Sequence, residues 1–288
     1  MLQVRFCAPS PNLSKLVRFY VQRKVQIGDR VVVHPVPARA TPMIEFDFGD
    51  PVDVRYANQA VLLKAPKTVV VGLQTYRRVE MHLRGSLESF VIMFQPDGLH
   101  RLFSICTREV TDKDYDAQSV LGSSITQLRE RLGECRSFGE RVRVTDSFLL
   151  RQSLRSRPFG GISAAAEQVI LASGRVNILA LADTAGMSMR QFQRRFAEEV
   201  VMRPKLFARI ARFEAALTDK ASSTAKSWTD VAHEFGYYDQ MHMVHDFAEF
   251  TGGTPTETLQ ELETVFVEQI RTLRTSGRKA DTDPRLVL

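Results

Sequence analysis

The chain is poor in cysteine, in tryptophan and in long apolar runs. Its three cysteines, Cys7, Cys106 and Cys135, are far apart and odd in number. Neither a disulfide framework nor a thiolate metal site is expected from them. No stretch reaches the roughly eighteen apolar residues of a membrane-spanning helix. The segment Met1 to Ser10 is interrupted by Gln3 and Arg5 and lacks the apolar run of a secretory signal. A cytoplasmic protein with no membrane partner is therefore expected. Gly-rich phosphate loops and dinucleotide fingerprints are missing. Ser163, Ser173, Ser188 and Ser227 sit in cap or small-residue contexts without a Gly-x-Ser-x-Gly elbow. His34, His82 and His100 are scattered. His242 and His245, three apart on a helix, could face one site, but no thiolate is near them. These absences predict no cofactor, no metal and no enzyme.

What is present fits two domains. A length of 288 residues, with 44% hydrophobic and 25% charged residues, is enough for two cores at roughly 150 residues each. The net charge of +6 invites a nucleic-acid reading, but its distribution does not support one. Residues 1–159 hold 24 basic against 16 acidic side chains, and residues 160–262 hold 10 against 13. Any DNA-binding argument has to rest on local placement.

Ser10-Pro11 reads as a helix start, with a short helix through about Tyr20. Residues 30–94 read as strands. Arg30 to Val36 is valine-rich, and Met43 to Phe48 alternates, with Ile44, Phe46 and Phe48 on one face. Thr68 to Leu73, Val79 to Leu83 and Leu87 to Phe94 are further short apolar runs. Gly49-Asp50-Pro51, Gly72, Gly85-Ser86 and Pro96-Asp97-Gly98 punctuate them. Strands at this spacing fit a small antiparallel barrel or sandwich. From residue 98 the spacing turns helical, at Leu99, Leu102 and Phe103, at Ile125, Leu128 and Leu132, and from Val142 through Phe148 to Leu150. Arg151 to Pro158 with Gly160-Gly161 is the linker candidate. The expectation is an α+β protein. A barrel-like sensing or dimerisation domain with helices spans 1–158, an all-α domain spans 160–270, and a flexible tail spans 271–288.

Two segments in the second half share a plan. Over residues 176–200, Ile178, Leu179 and Ala182 give a first helix its apolar stripe. Gly186 sits at a sharp turn, and Ser188 is placed to cap the next helix. That helix has Phe192, Phe196 and Val200 on one side and Arg190, Gln193 and Arg194, with Ala197, on another. A helix-turn-helix needs this division, one face held by the core and the other free for the major groove. Arg suits guanine and Gln suits adenine. An ordinary helical hairpin with a solvated basic face fits this pattern equally well. Residues 228–252 repeat it: Trp228, Val231, Ala232 and Phe235, a turn at Gly236, then Met243, Phe247 and Phe250 inward. Ser227 and Asp239 are the caps, and Gln240, Met241, Val244 and His245 lie on or near the outward face. Thr251 to Pro255 stops the unit. Arg203-Pro204 starts a joining helix over roughly Lys205 to Leu217.

These residues carry a family resemblance. Ala232 to Gln240, Phe247 and Thr251-Gly252-Gly253-Thr254-Pro255 resemble the second-unit signature of AraC/XylS-type regulators. Met187-Ser188, Gln193-Arg194-Arg195-Phe196 and Arg203-Pro204 resemble their first unit. The likeness spans about residues 162–260. Residues Pro9 to Gly98 resemble, more loosely, a barrel-like domain attached to some members, in Val71 to Thr75 and in Phe94 to Gly98. The resemblance implies sequence-specific binding to double-stranded DNA, with the second helix of each unit in one of two successive major-groove segments. Position by position, Arg190, Gln193 and Arg194 would read bases in one segment, and Gln240, Met241, Val244 and His245 in the other. RNA polymerase, a second protomer and a small-molecule effector are the further partners it allows.

The second unit departs from the family pattern. His245 and Ala248 stand where basic residues are usual, and Met241 and Met243 where small and aromatic ones are. Between Lys226 and Glu257, Lys226 is the only Lys or Arg, against Asp230, Glu234, Asp239, Asp246, Glu249 and Glu257. Phosphate neutralisation dominates DNA affinity, so base readout is expected mainly from the first unit. The alternative is a small-molecule-binding or enzymatic protein whose N-terminal domain carries the activity.

Overall fold

Two unusually long strands organise the first half of the chain. In the computed structural model, which describes residues 3–57, 59–77, 79–105, 111–223 and 225–262, Val17–Val36 (β2) pairs antiparallel with a later strand, Val79–Phe94. Gln3–Cys7 (β1) flanks β2. The remaining strands are Met43–Asp47 (β3), Asp53–Tyr56 (β4), Leu63–Lys64 (β5) and Thr68–Val71 (β6). Val79–Phe94 is then β7, and Asp114–Asp116 is β8. They form one eight-stranded antiparallel sheet in the order β1-β2-β7-β3-β6-β8, with β4 and β5 branching from β7. The expected antiparallel barrel-like half is present, but two readings of it need correction.

The helix expected from Ser10 to Tyr20 is a single 3-10 turn, Pro11–Leu13, and Ser10 makes no side-chain cap. The chain then enters β2. Phe19 and Val21 face one apolar cluster and Tyr20 the opposite one. That period of two arises from pairing with β7, some seventy residues away in sequence, where Tyr20 lies opposite Ile92. Gly85-Ser86 does not break β7 either. Gly85 adopts φ +68°, lies opposite Gly28 at φ +77°, and a Cβ there would come 2.2 Å from the Asp50 carboxylate. The two glycines bend both strands instead of ending them. Across the bend β7 changes partner, from β4 at Val79 to His82, to β3 at Ser89 to Met93. The bent sheet thereby walls a cavity.

Helices Gly98–Phe103 (α1), Ala117–Leu121 (α2), Ser123–Glu134 (α3) and Phe138–Ser153 (α4) follow the sheet. Ile125, Leu128, Leu132, Phe148 and Leu149 pack on the face of the sheet that carries Phe46, Phe90 and Ile92. Among the described residues the second half is helical. Gly161–Leu171 (α5), Ile178–Thr184 (α6) and Met189–Glu199 (α7) precede Pro204–Ser222 (α8). Trp228–Glu234 (α9), Gln240–Thr251 (α10) and Pro255–Leu262 (α11) complete it. The tail expected over 271–288 lies outside the described residues.

The halves share a core. Ala38, Ala40 and Leu73 of the first half belong to the apolar cluster of the helical half. The Ala38 N–H donates to the Phe250 carbonyl at 3.1 Å, and the Ala40 N–H to Glu214 Oε2 at 3.2 Å. Arg77 pairs with Glu261 at 2.7 Å, and Lys15 with Glu167 at 2.8 Å.

One carboxylate lining this cavity is electrostatically unfavourable. Burial, only partly offset by the Gly49 N–H bond, raises the Asp47 carboxyl from 3.8 to about 6. A raised acid favours the folded state while it is protonated. That contribution is complete below about pH 4 and is lost as pH rises through about 6. Asp47→Asn keeps the acceptor for Gly49 and should therefore stabilise the fold more at pH 7.5 than at pH 4.5. Paired melting curves at the two pH values check this, and an equal shift at both would refute the assignment.

Candidate DNA-reading surface

Both expected helix-turn-helix units are present and locally encoded. Asn177 caps α6 by accepting from the Leu179 and Ala180 N–H groups, a cap not read from the sequence. Ser188 and Gln191 form a capping box on α7, as do Ser227 and Asp230 on α9. Asp239 caps α10 through the His242 N–H at 2.7 Å. Gly186 turns between α6 and α7 at φ +66°, and Gly236 between α9 and α10 at φ +68°. In each turn the following residue closes back on the helix, Met187 N–H to the Ala182 carbonyl and Tyr237 N–H to Ala232. A side chain at 186 meets no atom within 4 Å, so only backbone conformation opposes one. Gly186→Ala should cost about 1–2 kcal/mol, measurable by urea denaturation. An unchanged midpoint would contradict the left-handed turn.

The stripe of α6 differs from expectation. Leu181 and Ala182 are buried, whereas Leu179 is 54% exposed. With only seven residues, α6 carries too little periodicity to fix its inward face, and packing against α5 and α7 decides it. The second helix of each unit matches expectation. Phe192 and Phe196 of α7 and its C-cap Val200 are fully buried, as are Met243, Phe247 and Phe250 of α10. Each helix is pinned to α8 by aromatic contacts. Phe196 meets Phe207 with centroids 5.5 Å apart, and Phe213 meets Phe247 at 4.8 Å and Phe250 at 5.4 Å. At nineteen residues, α8 extends beyond the expected Leu217 and is about 28 Å long.

The opposite faces point to solvent. On α7, Arg190, Gln193 and Arg194 are exposed. Arg194 has only a loose contact with Glu198 at 3.9 Å, its side chain 70% exposed. Its neighbour Arg195 is held at 2.8 Å by Glu199. On α10, Gln240, Met241 and His245 are exposed and Val244 is half-buried. The Gln240 side-chain carbonyl accepts from the Thr229 hydroxyl at 3.0 Å. His242 packs edge-on against Tyr237, 5.4 Å between rings. Among the described residues no group of three or more His, Cys, Asp or Glu side chains could hold a metal ion, and no helix is long and apolar enough to cross a membrane.

The acidic excess of the second unit has structural uses that the count could not reveal. Asp230 and Asp239 are caps, and Glu257 caps α11 through Thr254. Hydrogen bonds from Ser227 hold the Asp230 carboxyl below its ordinary range, and those from Thr254 do the same for Glu257. Asp246 and Glu249 both bind Arg209 of α8, at 2.6 Å each. Glu234 binds Lys226 at 2.6 Å, which also reaches Asp219 at 2.7 Å. The cations missed by a reading confined to the unit come from α8 and the α5–α6 connection. Besides Arg209, Arg212 donates to the Gly236 carbonyl and lies over the Tyr237 ring, and Arg175 donates to the Glu234 carbonyl. Lys226 is nevertheless committed to two carboxylates, so the unit offers little free positive charge.

Two capped helix-turn-helix units on one spacer helix have the geometry of a DNA-binding domain. Residues 181–261 match the family described as a helix-turn-helix domain, and residues 5–116 match a domain family of unknown function, DUF6597. The chain thus carries an AraC-type helix-turn-helix domain behind an N-terminal domain of unknown function, the make-up of a DNA-binding transcription regulator. Solved structures with a similar arrangement include ToxT from Vibrio cholerae O395, at 10% identity and TM-score 0.46, covering 92% of this chain and 99% of that one. An apo form of ToxT from Vibrio cholerae strain SCE256 has 9% identity and TM-score 0.48, with 84% and 97% covered. The AraC-like transcriptional activator CuxR has 11% identity and TM-score 0.26, with 68% and 80% covered. The family matches, not these structures, carry the assignment. No curated protein matches the sequence.

Proposed function

We propose that the protein is a sequence-specific transcription regulator that reads double-stranded DNA mainly through α7. The observation that supports this reading is the division of α7. Phe192 and Phe196 are immobilised in the core while Arg190, Gln193 and Arg194 stand exposed on a capped helix. A rigid helix presenting Arg and Gln has the donors for guanine and adenine edges. Gln240, Met241, Val244 and His245 of α10 read a second segment with weaker phosphate support, because nearby cations are spent on internal carboxylates. We assign residues 1–158 to sensing or dimerisation and 160–270 to DNA binding. Transcription then changes through contact with RNA polymerase or by occlusion, without catalysis by this chain.

Selection of sites from a random DNA pool with the full-length protein tests the proposal. An enriched motif is expected. On that motif Arg194→Ala should lose about 1–3 kcal/mol of binding and relax discrimination at some bases, and His245→Ala should lose less. Equal losses would sink the priority of the first unit. No enrichment at moderate salt, with or without candidate effectors, would sink the regulator reading.

A further inference from the structure

The bent sheet walls a partly open cavity of about 90 Å³, several times the space one water requires. Its body is apolar, walled by Val54, Val71, Met81 and Leu83. Its polar end is lopsided. Glu45, Asp47 and Asp114 line it against one lining guanidinium, that of Arg23, which stands 3.8 Å from Glu45; from outside the lining, Arg39 acts on Glu45, and Lys67 and Arg129 act on Asp47. The Tyr56 hydroxyl donates to Asp114. Gln74 also lines the cavity and is only 2% exposed. Its side-chain carbonyl has no hydrogen-bond partner among the described residues. Lining carboxylates therefore outnumber lining cations at this end, and the buried Gln74 carbonyl lacks the donor that buried acceptors normally have.

We propose that this cavity binds a small molecule with a compact apolar body and a cationic amine head, and that occupancy is passed to the spacer helix α8 through Arg39. An ammonium brings three donors and a positive charge, matching the Gln74 carbonyl and the surplus carboxylates. A carboxylate head would meet three lining carboxylates against the one lining guanidinium, and an alcohol would bring no charge to them. The body must be short, because the volume is small.

The route outward is built from residues that touch both sides. Arg39 exchanges backbone hydrogen bonds with Gln74, at 2.8 and 3.0 Å, and its guanidinium contacts Met43 Sδ at 2.8 Å. Gln74 and Met43 both line the cavity. Arg39 is buried. Burial depresses its pKa, and Glu214 of α8 and Glu45 of the cavity wall both counter that, with Arg23 acting in the same sense as burial. The next residue, Ala40, donates to Glu214. A cation beside Glu45 competes for the carboxylate that helps hold Arg39. Arg39 in turn adjoins the helix to which both recognition helices are pinned. This last step rests on the DNA-binding reading above, whereas the ligand site does not.

The test is calorimetric titration of the full-length chain with n-pentylamine and benzylamine, using pentanoate and pentan-1-ol as matched probes. The amines should bind with micromolar to millimolar dissociation constants, as very small ligands do, and pentanoate should not. Gln74→Met and Glu45→Gln should each weaken amine binding at least tenfold. Val54→Phe fills the apolar body away from the polar end and should abolish it, which keeps the test decisive if a polar-end variant does not fold. Pentanoate binding better than the amines, no heat from either amine at millimolar concentration, or amine binding undiminished in Val54→Phe would each overturn the ligand site. On a selected DNA site, saturating amine should change the DNA dissociation constant several-fold, and Arg39→Met should remove that response. Amine binding without any effect on DNA affinity would overturn the route through Arg39. Amine binding in a chain that selects no DNA would count against the regulator reading and leave the ligand site standing.

Discussion

Phe213→Ala is expected to destabilise the protein by about 3–5 kcal/mol, the usual cost of deleting a fully buried phenyl ring. Phe213 is fully buried in α8 and meets two rings of α10, Phe247 and Phe250, both also fully buried. Each such aromatic pair is worth about 0.5–1.5 kcal/mol beyond area burial. The damage should be directional, because α10 loses its aromatic anchor to the spacer whereas α7 keeps the Phe196–Phe207 contact. Urea denaturation gives the magnitude, and hydrogen exchange gives the direction. Amides of α10 should lose protection before those of α7. A loss below about 1.5 kcal/mol, or equal deprotection of both helices, would show that α10 is held elsewhere.

Glu214→Ala should be nearly as severe, at about 3–5 kcal/mol, since removing one member of a buried charged pair strands the other. Glu214 accepts the Ala40 N–H and faces the buried Arg39 guanidinium. Both contacts join the sheet half to the helical half. Pairing the change with Arg39→Met should recover a large part of the loss, because the stranded cation is then gone. A double-mutant cycle reads that coupling directly. If the two single losses simply add, Arg39 and Glu214 do not interact.

The readable parts of this protein are those whose signals are local. The caps at Ser188, Ser227 and Asp239 and the turns at Gly186 and Gly236 each depend on a few consecutive residues, and the structure contains all of them. The inward stripes of α7 and α10 were legible because helices of eleven and twelve residues repeat their period about three times. The stripe of α6 was not, and Leu179 faces solvent. Asn177 was readable in principle as a cap residue preceding an apolar run, and it was missed. The sheet half was legible as strand-rich but not in its boundaries. A Ser-Pro pair outweighed the β-branched and aromatic content of residues 17–21, and a Gly-Ser pair looked like a break where it makes a bend.

The amino-acid sequence by itself determined that the C-terminal half holds two helix-turn-helix units, which residues face outward on the second helix of each, and that the second unit is short of basic side chains. These follow from period, caps and composition, which act over a few residues. Only the tertiary structure decided what the acidic residues of the second unit do, because Arg209 reaches Asp246 and Glu249 from a different helix. It alone also decided that residues 38–40 enter the helical core, and that Glu45, Asp47, Gln74 and Asp114 share one cavity. Contacts of that kind join segments far apart in the chain, and their energy depends on burial and charge pairing that no local pattern records.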